Sequence, residues 1–213
     1  MKYFEKQLDK NGSYAKYYLQ EANGEIDRAR VYPVIVICPG GAFFWTSFRE
    51  DEAVALRFLA EGFHVIVVHY ATEGLKKMAP HKIEDLPQNP VSAFPNPLVV
   101  LSKTVADIKE NAMTYRVDLD YVVVAGFSAG GNIAGQLGVY WDKEWLLDLV
   151  AKEAELIRPT HLLLSYAAFD VYPNADLSIF NKVAYAATGK EFPTQEELDK
   201  VNPIKNVSKK TPP

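Results

Sequence analysis

The chain has 213 residues, 48% of them hydrophobic and 23% charged, which is ordinary for a globular protein and enough for one sizeable core. A net charge of −4 and a pI near 5.6, with both signs interspersed, leave no basic stripe for a phosphate backbone, so nucleic acid is excluded as an expected partner. Charges in Met1-Lys2-Tyr3-Phe4-Glu5-Lys6 stand where a secretory signal needs an apolar core, and no run reaches membrane-spanning length; a cytoplasmic chain with no membrane partner is expected.

The first thirty residues alternate, with Tyr14, Lys16 and Tyr18 set against Ala15, Tyr17 and Leu19, and Asn11-Gly12 lies between two such runs. This pattern predicts an antiparallel hairpin. From residue 33 the character changes to unbroken apolar runs separated by helical spacing, the pattern of parallel strands buried on both faces. The predicted strands are Val34–Cys38, His64–His69, Tyr121–Ala125 and His161–Tyr166. Between them, Glu52 to Ala60 and Pro97 to Met113 carry apolar residues at helical intervals. Residues 71–97 form a long connection containing Pro80, Pro87, Pro90, Pro95 and Pro97, and such loops tend to lie at ligand edges. Segment 141–157 places Trp141, Trp145 and Leu149 on one side of a helix; packing on the body is the favoured reading and a substrate lid the alternative. The lone Cys38 excludes an internal disulfide and reads as a buried thiol. The order implies one α/β domain over residues 1–213: a mostly parallel, doubly wound sheet with helices on both faces and an N-terminal antiparallel hairpin.

The stretch Gly126-Phe127-Ser128-Ala129-Gly130 follows the apolar run Tyr121 to Ala125 and precedes a helical pattern. In that context it reads as a nucleophile elbow, in which a serine sits on a strained strand-to-helix turn and its neighbours two residues away must be tiny. A second loop, Pro39-Gly40-Gly41-Ala42-Phe43-Phe44-Trp45, leaves strand Val34–Cys38 at the same sheet edge, where open parallel sheets bind ligands. Its adjacent glycines can turn their amides outward, and amides aimed in advance stabilise the oxyanion of a tetrahedral intermediate. The amides of Gly41, Ala42 and Ala129 are the candidate donors. The competing reading of Gly40-Gly41 is a plain tight turn.

At these residues the chain resembles the α/β-hydrolase superfamily, in particular its esterase/lipase branch. The resemblance is carried by Cys38-Pro39-Gly40-Gly41-Ala42-Phe43, by Glu61 to Tyr70, and by Gly126-Phe127-Ser128-Ala129-Gly130-Gly131-Asn132, and it covers nearly all of residues 30–210. It implies Ser128 as nucleophile, Gly41, Ala42 and Ala129 as oxyanion donors, and hydrolysis of a small-molecule carboxylic ester through an acyl-enzyme. It also implies a pocket lined by Phe43, Phe44 and Trp45, with Phe127 beside the serine. No cofactor and no metal are expected, and a homodimer is left open.

A serine nucleophile needs a base, and in this superfamily the order along the chain is serine, acid, histidine. The four histidines are His64, His69, His81 and His161. His64 and His161 each begin a predicted strand and so belong at the wrong end of the sheet. His69 ends its strand at the correct edge, but the superfamily's topology seats that strand two positions from the elbow strand. His81 falls in the long loop and could fold over the site. Asp170 follows the last predicted strand, where it is either the triad acid or a turn residue. The incomplete order implies that the chain is the amino-terminal part of a longer hydrolase lacking the last strands and their loops. The apolar Leu162-Leu163-Leu164 would otherwise form an unprotected edge. The alternative is a catalytically silent binding module of the same fold.

Overall fold

The computed structural model describes residues 1–77, 86–173 and 178–213. Six strands form one mixed sheet: β1 (Lys2–Gln7), β2 (Tyr14–Leu19), β3 (Tyr32–Cys38), β4 (His64–His69), β5 (Val117–Phe127) and β6 (His161–Ser165), in the order β1-β2-β4-β3-β5-β6. β1 pairs antiparallel with β2 and β2 with β4, while β4, β3, β5 and β6 run parallel. The hairpin expected from the alternating N-terminal residues is therefore present. Gly12 turns it with a positive φ of 96°, and the Asp9 carboxylate accepts the amides of Asn11 and Ser13 at 2.8 and 3.0 Å.

The unbroken apolar runs are buried on both faces because helices cover both. Ile35, Ile37, Val65 and Val67 pack with Ala55 and Leu59 of α1 (Glu52–Ala60). Val34, Val36, Ile66 and Val68 face the larger core. It is built with α2 (Asn96–Glu110), α4 (Ala129–Tyr140) and α5 (Glu144–Val150), joined by the short α3 (Ala112–Tyr115) and α6 (Ala154–Ile157). α7 (Ser178–Thr188) and α8 (Gln195–Val201) complete the α-helices among the described residues.

Two expected helices are broken in the structure. The segment read as Pro97 to Met113 divides at Asn111, whose side-chain amide donates to the Asp107 carbonyl at 2.8 Å and caps α2. The segment read as 141–157 divides at Ala151, which adopts left-handed backbone (φ 56°) and closes α5. That segment packs through Leu146 and Val150, while Trp145 and Leu149 face outward. Trp141 is buried with the body as anticipated. Cys38 is wholly buried, and burial pushes its thiol up to about 12, so it stays protonated and inert. No helix among the described residues is long and apolar enough to cross a membrane.

Candidate active site

β5 delivers Ser128 to the carboxyl edge of the sheet, and α4 begins at the next residue. Ser128 sits at φ 49°, ψ −117°, a strained conformation for a residue bearing a Cβ. The turn closes because its flanks have no side chains. A methyl group on Gly126 would lie 2.3 Å from the Gly130 carbonyl oxygen, and one on Gly130 would lie 2.1 Å from that of Cys38. Backbone bonds pin the tip to the end of β6 and to the loop after it: Ser128 N–H donates to the Ser165 carbonyl at 3.2 Å, and the Ser128 carbonyl accepts Ala168 N–H at 2.9 Å.

Asn132, one turn into α4, braces the same loop by donating to the carbonyls of Ala168 and Val201 at 2.7 and 2.8 Å. Its side-chain oxygen accepts from Gln136 at 2.7 Å. Asn132 stands in the motif that carries the resemblance, without this task being assigned to it; the signal for it is a pair of polar side chains four residues apart, Asn132 and Gln136, on an otherwise apolar helix.

The loop leaving β3 doubles back tightly. Gly41, Ala42 and Phe43 have positive φ in succession (132°, 53° and 65°), and a Cβ on Gly41 would lie 1.9 Å from the Trp45 carbonyl oxygen. Tyr70 donates to the Pro39 carbonyl at 2.7 Å, and Gly40 N–H donates to Glu50 Oε2 at 2.6 Å. Among the described residues, no hydrogen bond takes up the amides of Gly41, Ala42 or Ala129. The reversal also turns Phe43 and Phe44 into the core, where they are 2% and 0% exposed.

Ser128 opens into a cavity of about 280 Å³. Ala42 and Ala129 flank the serine, Asp170 and Tyr172 come from the loop after β6, and Ile179, Phe180 and Val183 come from α7. The expected pocket of Phe43, Phe44, Trp45 and Phe127 is corrected accordingly. Phe43, Phe44 and the partly buried Trp45 pack in the core, and Phe127 packs beside Tyr166. The apolar wall comes from α7, whose sequence gave no sign of its proximity. Two other cavities, of about 380 Å³ near Gln20, Asp27 and Gly62 and of about 430 Å³ beside Phe94, Tyr140 and Trp145, contain neither the elbow nor its loop.

The histidines sit where the strand register demands. His64 is buried at the start of β4 and accepts Gln20 N–H at 2.9 Å; burial lowers its pKa, which keeps it neutral. His161 begins β6, exposed and stacked on Tyr121. His69 ends β4 at the same edge as Ser128, but β3 lies between β4 and β5, so two strand spacings of about 4.8 Å separate them. Its ring is stacked on Tyr14 and lies 2.7 Å from Thr46 Oγ1. His81 lies outside the described residues. Among the described residues, no histidine lines the Ser128 cavity.

Comparison with known proteins agrees with this architecture. Endo-1,4-beta-xylanase B of Butyrivibrio fibrisolvens is 30% identical over 182 residues, a match that covers 84% of this chain and 25% of that protein. The chain thus spans about a quarter of the length of that curated relative. Among solved structures, the carboxylesterase Cest-2923 from Lactobacillus plantarum WCFS1 superposes with a TM-score of 0.74 at 22% identity, covering 100% of this chain and 70% of that one. The acetyl ester-xyloside bifunctional hydrolase from Caldicellulosiruptor lactoaceticus gives 0.68 at 21% identity, covering 94% and 64%. These structural likenesses establish the α/β-hydrolase fold. The BD-FAE family model matches residues 24–213, and the chain belongs to the BD-FAE family.

Proposed function

We propose that this protein hydrolyses carboxylic esters through an acyl-enzyme on Ser128, and that its substrates are acyl groups, acetyl among them, carried on plant-wall carbohydrate. One observation carries the reading: a serine on a strained strand-to-helix tip faces an apolar cavity flanked by Ala42 and Ala129, and among the described residues no hydrogen bond takes up the amides of Gly41, Ala42 and Ala129. Ser128 Oγ attacks the ester carbonyl, and the three amides receive the developing oxyanion without reorganising. The C–O bond to the alcohol then breaks as the serine's proton passes through water to the alcohol oxygen, and a second water releases the acid from the acyl-serine and returns a proton to Ser128 Oγ. The small apolar cavity suits an acyl chain. The carbohydrate assignment is supported by a relative named as a xylanase and a structural neighbour named for acetyl ester and xyloside hydrolysis.

The histidine positions favour a second reading, a catalytically silent module that binds an acylated ligand in the same cavity. Incubation with p-nitrophenyl acetate and with acetylated xylo-oligosaccharides, followed by peptide mass mapping, separates the two. The esterase reading expects an acetyl group on Ser128 that disappears in Ser128→Ala. Ligand-dependent stabilisation with neither adduct nor turnover would establish the silent module instead.

A further inference from the structure

We infer that Glu50 is a positioning residue of this site, a carboxylate clamp that holds the oxyanion loop against the nucleophile from outside the catalytic set. The inference rests on the esterase reading for its effect on rate and on geometry alone for the clamp itself. Glu50 ends the short 3-10 turn Phe48–Glu50, just before α1, and is only 9% exposed. Each of its oxygens has its own task. Oε2 accepts Gly40 N–H at 2.6 Å, and Oε1 accepts the Tyr166 hydroxyl at 2.5 Å.

The two partners belong to the two loops that frame Ser128. Gly40 immediately precedes the Gly41 and Ala42 amides. A methyl group on Gly40 would lie 2.9 Å from both Glu50 Oε2 and Ser128 Cβ, so this glycine is wedged between the carboxylate and the nucleophile. Tyr166 begins the loop after β6, at a positive φ of 37°, with its ring 5.8 Å from that of Phe127. That loop holds the elbow through Ala168 N–H, next to the bond from Ser128 N–H to the Ser165 carbonyl at the end of β6, and carries Asp170 to the cavity. Glu50 thereby ties together three chain segments that share no secondary-structure pairing at this point.

A buried carboxylate is expensive unless its hydrogen bonds are made. Among the described residues Glu50 has no salt-bridge partner; its neighbour Asp51, not Glu50, takes the nearby Lys16. The amide of Gly40 and the phenol of Tyr166 are the groups that satisfy it. Partial burial, then the hydrogen bond to Glu50 and its negative charge, push the Tyr166 phenol from the ordinary value near 10 to about 12. This shift gives the clamp a signature separate from catalysis.

The test compares Glu50→Ala, Glu50→Gln and Tyr166→Phe. Displacing a pre-aimed loop by about an ångström lowers rate by roughly 10²-fold, so Glu50→Ala is expected to lose about that factor in kcat with KM unchanged. Glu50→Gln can still accept Gly40 N–H and donate to the Tyr166 oxygen, and it recovers most of the loss. In both variants the Tyr166 titration, followed by NMR of ring-labelled tyrosine and assigned with Tyr166→Phe, moves down toward the ordinary phenol range. Tyr166→Phe removes one arm at an exposed position and gives a smaller fall in kcat, which keeps the inference testable if Glu50→Ala does not fold. Wild-type kcat in Glu50→Ala, or in Tyr166→Phe where Glu50→Ala does not fold, overturns the inference. If the wild-type chain proves inactive, the esterase reading fails, and the clamp is judged by Tyr166 titration and Gly40 amide exchange. A wild-type Tyr166 titration in Glu50→Gln, or wild-type Gly40 exchange in Glu50→Ala, then overturns it.

Discussion

His69 Nε2 lies 3.2 Å from Asp51 Oδ2, and both side chains are almost wholly buried. The same carboxylate oxygen takes the Lys16 ammonium at 2.6 Å. Asp51, at the start of α1, therefore joins this helix to β2 through Lys16 and to β4 through His69. The histidine that ends its strand at the edge carrying Ser128 is thus held in a structural contact.

Burial alone would raise the Asp51 carboxyl, but the His69 ring and the Lys16 ammonium more than offset it and hold it below the ordinary carboxylate range. A depressed folded-state pKa contributes stability that is present above the unfolded value and lost as the pH falls through the folded one. Asp51→Asn is expected to lower unfolding free energy by about 3 kcal/mol at neutral pH, because a buried charge loses its partner. The difference between variant and wild type should narrow as the pH drops below about 4. Urea titrations at several pH values measure it; a gap that persists undiminished into acid would assign the effect to packing.

The elbow glycines make a second, steric prediction. A methyl group on Gly130 would press on the backbone carbonyls of Cys38 and Pro39 at 2.1 and 2.4 Å, and backbone cannot swing aside as a side-chain end can. Gly130→Ala should cost about 3 kcal/mol. Gly24→Ala is the contrast: there the added carbon meets the flexible side chain of Arg28 at 3.1 Å, and a change within about 0.5 kcal/mol is expected. Equal urea midpoints for the two variants would refute this account of the turn.

The contrast between these sites shows what a sequence exposes. Gly126, Ser128 and Gly130 were readable because their constraint is local: a strand, a sharp turn and a helix need that spacing whatever surrounds them. The buried strands were equally plain, since β3 and β4 are covered on both faces and so lack alternation. The remainder depends on contacts distant in sequence. Glu50 and Asp51 look like ordinary charged residues before a helix, and only folding brings Tyr166, Lys16 and His69 to them. Phe43 and Phe44 looked like pocket aromatics until the positive φ values of Ala42 and Phe43 turned the chain inward. α7 reaches the cavity from about fifty residues beyond the serine, a separation that periodicity does not bridge.

The strain at Ser128 predicts a trade between stability and chemistry. A residue with a Cβ at φ 49°, ψ −117° carries about 1–3 kcal/mol of backbone strain. Glycine relieves that strain, at an unfolded-state entropy penalty of about 0.4–1 kcal/mol relative to alanine. Ser128→Gly should therefore be more stable than Ser128→Ala by about 1 kcal/mol, and neither should accept an acyl group. Thermal and urea unfolding of the pair measure the difference; a more stable alanine variant would show that the tip is relaxed.

The cavity itself predicts selectivity. Its volume of about 280 Å³ is bounded by Ile179, Phe180 and Val183 of α7 as well as by Ser128, and Val183 is half-buried against the core. If this space receives the acyl chain, a larger side chain at 183 removes room that butanoate needs and acetate does not. Discrimination by methylene groups in an apolar pocket is worth about 1–3 kcal/mol. Val183→Phe should thus lower the ratio of kcat/KM for p-nitrophenyl butanoate over acetate by about tenfold or more. Acetate turnover should stay near wild type, because Ser128 and the amides of Gly41, Ala42 and Ala129 come from the elbow and the loop after β3 rather than from α7. A ratio unchanged from wild type would place the acyl chain elsewhere and leave the α7 wall to the alcohol side of the ester.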